Sequence, residues 1–339
     1  MDIFQLKRKK AFRLSIVILV LIIITFFISL HTGLTKLTPV VVIQTLLGNG
    51  TDQNWVILVD FRLPRMVLAL LIGAGIAISG VILQSISRNA LADPGIIGIN
   101  AGAGFAVVLY MFLFQGASLL SGTLAIFSLP FVALIGAFTA ALFIYLLAWK
   151  DGVTPTRLIL VGIGINAAFN AAMVVFQLMM EPNDFTKALT WLSGSIWGTN
   201  WTYVLSLLPW IILLIPIVLL KARKLDLISL GDSTSIGLGI AIEKERFILL
   251  MFAVALAGAC VSVGGGITFL GLIAPHLARR LVGSTHALFI PVAALLGSFF
   301  LLAADTLGRV ILAPAEVPVG LVVAILGAPY FIYLLLRTP

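Results

Sequence analysis

Of the 339 residues 61% are hydrophobic and only 10% are charged, against roughly 25% charged in an ordinary soluble domain, which excludes a soluble globular protein. A bilayer span takes about 20 apolar residues, so the chain has room for about ten spans and for no sizeable extramembrane domain. The formal net charge of +8 does not point to nucleic acid, because the basic residues lie almost entirely between apolar runs, where membrane topology accounts for them.

Apolar runs long enough to cross hydrocarbon as helices lie near residues 11–30, 64–86, 96–115, 124–149, 157–180, 203–220, 246–263, 264–281, 287–304 and 315–336. Helices are expected because each satisfies its own backbone groups in lipid, and the alternation of a barrel strand is absent from the sequence. The expectation is an all-α integral membrane fold with ten transmembrane helices forming one integral domain over 1–339. The first run follows Lys7, Arg8, Lys9, Lys10 and Arg13. Its apolar stretch is too long for a signal peptide and no small-residue cleavage site follows, so it reads as an uncleaved helix with a cytoplasmic amino terminus.

Threading ten spans from that end places 16 of the 21 basic residues in cytoplasmic segments. Lys36, Arg62, Arg65, Lys187 and Arg309 remain outside. The run 264–281 opens with Gly264, Gly265 and Gly266 and contains Pro275. If it failed to cross, the split would fall to 14 against 7, so ten spans and two cytoplasmic termini fit the positive-inside rule better. Longer polar stretches remain at 31–60 and 181–202 outside and at 221–245 inside.

The segment Phe61-Arg62-Leu63-Pro64-Arg65 opens the second span, with Pro64 where a missing N–H is tolerated. Its two external arginines either snorkel to lipid phosphates or offer bidentate contacts to carboxylates on an external partner, with Arg309 as a third. Small residues inside the spans, among them Gly73, Gly75, Ser79 and Gly80, Gly102 and Gly104, Gly162 and Gly164, predict close helix packing. Asn166 and Asn170 are spaced i,i+4 on the fifth span and share a face with Met173 and Gln177. They either hydrogen-bond between helices or line a polar pathway. The stretch Leu230-Gly231-Asp232-Ser233-Thr234-Ser235-Ile236-Gly237-Leu238-Gly239 carries a helix start, with Asp232 or Ser233 as cap, and a stop at Gly239. It predicts a short extramembrane helix, either a solvated connector or a knob inserted into a cytoplasmic partner through Ile236 and Leu238.

Other chemistry is not indicated. There is no GxxxxGK[ST] loop, His31, His276 and His286 lack ligand spacing, and no Ser/His/Asp or paired-carboxylate arrangement stands out in a polar loop. No cofactor, metal site or enzymatic activity is expected. Cys260 reads as a small core hydrophobe. Membrane carboxylates are confined to Asp305, one turn from Arg309, and Glu316, near the outer ends of their helices, which does not support a proton relay. The energy for any transport then comes from elsewhere, or the protein is a passive channel.

At these residues the sequence resembles the FecCD family of ABC importer permeases, which carry iron–siderophore complexes, haem or cobalamin. The matching pieces are FRLPR (Phe61 to Arg65) continuing to GAGIAISGVILQ (Gly73 to Gln84), RNALADPGIIGINAGAG (Arg88 to Gly104), WLSGS (Trp191 to Ser195), LGDSTSIGLG (Leu230 to Gly239), GGITFLGLIAPHLARRLVG (Gly265 to Gly283) and AADTLGRVILAPAEVPVGLVVAILGAPYFIYLL (Ala303 to Leu335). They run in family order from residue 61 to 335. Departures are Ala90 where the family often has proline, and an altered DHR-like triplet at Ser284-Thr285-His286.

The resemblance implies a type II importer permease, similar to that of the vitamin B12 importer, in a bacterial cytoplasmic membrane. Two permease subunits, identical or homologous, would form the pathway. Two separate ATP-binding subunits would hydrolyse ATP beneath it, and an extracytoplasmic binding protein would dock outside. Arg62, Arg65 and Arg309 match the family's docking arginines. Leu230, Gly231, Asp232, Ile236, Leu238 and Gly239, within 226–240, match its coupling helix. Asn166, Asn170 and Gln84 are candidate pathway residues. An iron–siderophore complex is the expected cargo; haem, cobalamin or a metal ion, or an ion-coupled secondary transporter, are the alternatives.

Overall fold

The computed structural model describes residues 3–337 apart from 34, 36, 115–124 and 151. Lys36 and the expected span limits at 115 and 124 therefore lie outside the described residues. In chain order the helices are α1 (Ile3–His31), α2 (Pro39–Leu46), α3 (Asp52–Trp55), a π-helical stretch (Val56–Arg62), α4 (Leu63–Ser87), α5 (Pro94–Ile97), α6 (Ile99–Phe114), α7 (Ala125–Ala148), α8 (Pro155–Leu178), α9 (Pro182–Leu192), α10 (Trp201–Leu220), α11 (Ala222–Ser229), α12 (Asp232–Gly237), α13 (Ile242–Gly264), α14 (Leu270–Val282), α15 (His286–Ile311) and α16 (Val319–Arg337). Among the described residues there is no strand, only an isolated bridge between Trp149 and Val153.

The ten expected spans correspond to α1, α4, α6, α7, α8, α10, α13, α14, α15 and α16. Among the described residues seven helices are long and apolar enough to cross a membrane, and α6 and α16 are shorter apolar helices. The expectation at 264–281 needs correction, because α14 has 13 residues, about 20 Å of helix against a hydrocarbon layer of about 30 Å. The missing length is the irregular segment 265–269, with Gly265 at φ 70° and Phe269 at φ 65°. Irregular backbone survives at such depth only when protein surrounds it. Here the N–H of Gly266 donates to the Trp191 carbonyl at 3.3 Å, and a Cβ on Gly265 would lie 2.1 Å from that same oxygen. The WLSGS turn thus closes over the break, and the Gly194 carbonyl accepts from the N–H of Gly320 at the start of α16 (2.9 Å).

The core is built on α4, α13 and α15. Both α4 and α13 are largely buried, whereas α1, α8 and α10 present much of their apolar surface outward. The expected small-residue packing is present. A Cβ on Gly80 would lie 1.9 Å from the Gly271 carbonyl oxygen, and one on Gly102 would lie 2.6 Å from that of Gly136. Gly164 has open space around it and makes no such contact. With no hydrophobic drive between helices in lipid, backbones that approach this closely are held by dispersion.

Candidate functional site

Three polar regions lie along the bundle: one at the end that carries Arg62, one half-way along α8, and one at the opposite end around α12.

At the first end, the π-helical stretch, the first turn of α4 and the last turn of α15 bring Arg62, Arg65 and Arg309 to one cavity of about 290 Å³, together with Gly33, Phe61, Trp197 and Glu316. None of the three stands free. Arg65 donates through Nε to Asp305 Oδ1 (2.8 Å) and through Nη1 to Glu316 Oε2 (2.7 Å). Arg309 lies 3.1 Å from Asp305 Oδ2, a charge contact rather than a hydrogen bond, and donates to Ser29 Oγ. Arg62 is buried and donates to the carbonyls of Leu30 and Thr35, tying the chain after α1 to the foot of α4. The Asp305 carboxylate is wholly enclosed between two guanidiniums. Three guanidiniums against two carboxylates leave one positive charge in surplus, and Arg62 has no carboxylate partner among the described residues. The grouping of the arginines matches the sequence expectation; their inward pairing does not, because Asp305 and Glu316 reach them from distant helices.

Half-way along α8, Asn166, Asn170, Met173 and Gln177 line a cavity of about 420 Å³ with Asn100, Leu192, Gly266 and Thr268. Asn170 Nδ2 donates to the Asn166 backbone carbonyl and to its Oδ1 (both 2.8 Å), and Asn166 Nδ2 donates to the Ile96 carbonyl (3.3 Å). Asn100 Nδ2 donates to the Ile267 carbonyl (3.0 Å), leaving its buried Oδ1 without a partner. Among the described residues no charged side chain lines this cavity. Asn100 and Thr268 lie in the quoted motifs 88–104 and 265–283, but they join the site only through packing of α6 and the broken segment before α14, which no spacing along the chain marks. Gln84 does not join it: buried on α4, it donates to the carbonyls of Gly271 and Leu272 (3.3 and 3.4 Å).

At the opposite end, α11 and α12 form a hairpin. The cap expected at Asp232 or Ser233 is instead Gly231, whose φ of 115° suits glycine. Asp232 is the first helical residue, and its Oδ1 accepts from Arg246 Nη2 (2.9 Å) and from Arg88 at the end of α4. A carboxylate already held by two guanidiniums is not available as a cap. Ser235 is buried and donates to the carbonyls of Leu227 and Gly231 (both 2.7 Å), folding α12 back on α11. Gly239 takes the left-handed turn expected of a stop (φ 81°). Leu230, Ile236 and Leu238 are exposed, forming an apolar knob. Arg88, which opens the motif 88–104, and Arg246, which no local pattern marks, are further functional candidates; Arg246 is buried and also donates to the Val153 carbonyl.

A neutral polar cavity among membrane-length helices, a separate arginine-lined cavity at one end and an exposed apolar hairpin at the other are the anatomy of a multi-pass membrane permease. The chain belongs to the FecCD transport family, whose pattern it matches over residues 21–337. It is 55% identical to the iron(3+)-hydroxamate import system permease protein FhuG of Bacillus subtilis, with 98% of each chain aligned, and 45% identical to the iron-uptake system permease protein FeuC of the same organism (94% and 95%). It is 38% identical to the hemin transport system permease protein HmuU of Yersinia pestis over 94% of each. Among solved structures it is similar to one described as an inward-facing metal-chelate type ABC transporter, with TM-score 0.82 and 28% identity over 97% of this chain and 100% of that one.

Proposed function

We infer that this protein is the membrane subunit of an ATP-driven importer and, with a second permease subunit, forms the pathway for a ferric hydroxamate siderophore. The observation that carries this reading is the uncharged amide lining around Asn100, Asn166 and Asn170, in a chain 55% identical over nearly its whole length to an iron(3+)-hydroxamate permease. Hydroxamate chelates carry little net charge and present carbonyl and N–O oxygens, which amide N–H groups can meet; a strongly anionic catecholate chelate would call for cations that this wall does not offer.

The chain lies in a bacterial cytoplasmic membrane with both termini inside. Arg62, Arg65 and Arg309 then lie at the outer end, where the positive charge left over after pairing with Asp305 and Glu316 attracts the acidic face of a substrate-binding protein. Leu230, Ile236 and Leu238, carried on the turn made by Gly231, Asp232 and Gly239, insert into a groove of separate ATP-binding subunits, which hydrolyse ATP. Asn166 and Asn170 line the pathway; Gln84 holds α14 against α4 and is not assigned to it. ATP drives transport to the extent that the ATP-binding subunits prefer one position of the hairpin over the other.

The test is uptake of radiolabelled ferric hydroxamate by a strain lacking its own hydroxamate permeases, supplied with this chain and its partner subunits. Restored uptake that falls about tenfold or more in the Asn166→Leu/Asn170→Leu variant is expected. Restored haem or cobalamin uptake without hydroxamate uptake would overturn the substrate assignment.

A further inference from the structure

Helices α4 and α15 run antiparallel and are joined by polar side chains at both ends. At the arginine end Arg65 Nε donates to Asp305 Oδ1 (2.8 Å), and at the hairpin end Ser85 Oγ lies 2.6 Å from His286 Nε2. Arg65 and Ser85 are twenty residues apart on one helix, a rise of about 30 Å, which is the hydrocarbon thickness of a bilayer. Between the two ends Ser298 Oγ donates to the Leu70 carbonyl (2.7 Å), and Gly73 and Gly297 bring the backbones into contact. Elements fastened at both ends and packed backbone to backbone between them move as one body.

The inner fastening continues beyond α15. His286 Nδ1 lies 2.6 Å from Asp226 Oδ1, and the backbone N–H of His286 donates to the same oxygen at 2.9 Å. Asp226 is on α11, the first arm of the hairpin whose second arm is α12. An ionised carboxylate only accepts, so Asp226 makes Nδ1 the donor and sets the imidazole with Nε2 toward Ser85.

The order Ser–His–Asp is that of a hydrolytic triad. Catalysis is not what this one does: Ser85 and His286 are 3% and 2% exposed, so no acyl group can reach the hydroxyl, whose single proton is shared between His286 Nε2 and the Val81 carbonyl of its own helix (2.7 Å). What the chain does join is the hairpin to the α4–α15 pair. A buried polar chain of this kind resists slippage, because any displacement of α11 against α4 strands a buried donor or acceptor.

We propose that Asp226, His286 and Ser85 are the positioning residues that tie the α11–α12 hairpin to the α4–α15 pair, so that displacement of the hairpin is delivered to the arginine-lined cavity at the other end. This rests on the importer reading above. The sites so joined are two ends of a single stapled pair, and the claim of coupling is one that a double-mutant cycle tests directly.

The experiment uses the full importer in liposomes with its binding protein loaded with ferric hydroxamate. It reads the ratio of stimulated to basal ATP hydrolysis, uptake, and co-purification of the ATP-binding subunits. Asp226→Asn and His286→Phe are expected to lower the ratio about tenfold with co-purification intact, and Asp226→Glu to restore most of it. Ser85→Ala added to Asp226→Asn is expected to lower it no further, since both act through His286. A ratio like that of the unmodified importer in Asp226→Asn would overturn the proposal, as would equal losses of basal and stimulated hydrolysis, which mark a purely local stabilising role. Should His286→Phe fail to assemble, Asp226→Asn decides alone, because Asp226 lies partly open to solvent. An unmodified importer that takes up no chelate overturns the transport reading and this one together; chelate uptake with an unimpaired Asp226→Asn variant overturns this one only.

Discussion

Gly73 of α4 and Gly297 of α15 face each other so closely that a Cβ on the first would lie 2.4 Å from the carbonyl oxygen of the second, and one on the second 2.2 Å from that of the first. Neither contact is with a side chain that could swing away. Gly73→Ala and Gly297→Ala should each destabilise the protein by about 1–3 kcal/mol or more, the cost of overpacking, and lower the melting temperature in detergent. Gly164→Ala, in open space on α8, should be neutral or stabilising by roughly 0.5–1 kcal/mol. Equal melting temperatures for all three would refute the close approach.

Asp305 has its carboxylate enclosed between Arg65 and Arg309. Asp305→Ala leaves the buried Arg309 without a carboxylate and Arg65 with Glu316 alone, so it should cost about 3–5 kcal/mol. Replacing Asp305 and Arg65 together by Leu and Met should recover part of that loss. The comparison is made by thermal unfolding; a double variant less stable than Asp305→Ala would contradict the assignment.

Arg62 carries the surplus positive charge of the outer cavity while its hydrogen bonds go to backbone carbonyls. Arg62→Gln keeps donors for those carbonyls and removes the charge. Affinity for the loaded binding protein should fall by about fivefold to tenfold at low salt, and its salt dependence should weaken, as for other charges at a docking rim. Surface plasmon resonance at two ionic strengths measures both. Unchanged affinity and salt slope would remove Arg62 from the docking surface.

Ile236 and Leu238 are exposed at 63% and 58%, so polar replacements there should alter stability by no more than about 0.5 kcal/mol. Ile236→Asp/Leu238→Lys should nonetheless release the ATP-binding subunits during affinity purification. A variant that retains them in full stoichiometry would show that the knob is a connector only.

Much of this was legible in the sequence, and the residues say why. Asn166, Asn170, Met173 and Gln177 fall on one helical face because of their spacing, and that face does line a cavity. Arg62, Arg65 and Arg309 were expected on one side of the membrane, but they meet only because α4 and α15 pack against each other in opposite directions. The break at 265–269 had its signal in three consecutive glycines, but whether they interrupt a span depends on the Trp191 carbonyl that receives them. Gln84, polar within an apolar helix, could not be told from a pathway residue until the carbonyls of α14 were seen to accept from it.

Hydropathy, charge placement and helical spacing are properties of neighbours in the chain, and they alone determined the membrane class, the apolar runs, the expected sides of the membrane and the exposed apolar turn. Partnership was decided only by the packed helices. Arg65 finds Asp305 across 240 residues, Ser85 finds His286 across 201, and Arg88 finds Asp232 across 144. A hydrogen bond acts over about 3 Å, so which donor meets which acceptor is set by how closely backbones approach, and in this protein that distance is set by glycines facing one another across α4 and α15.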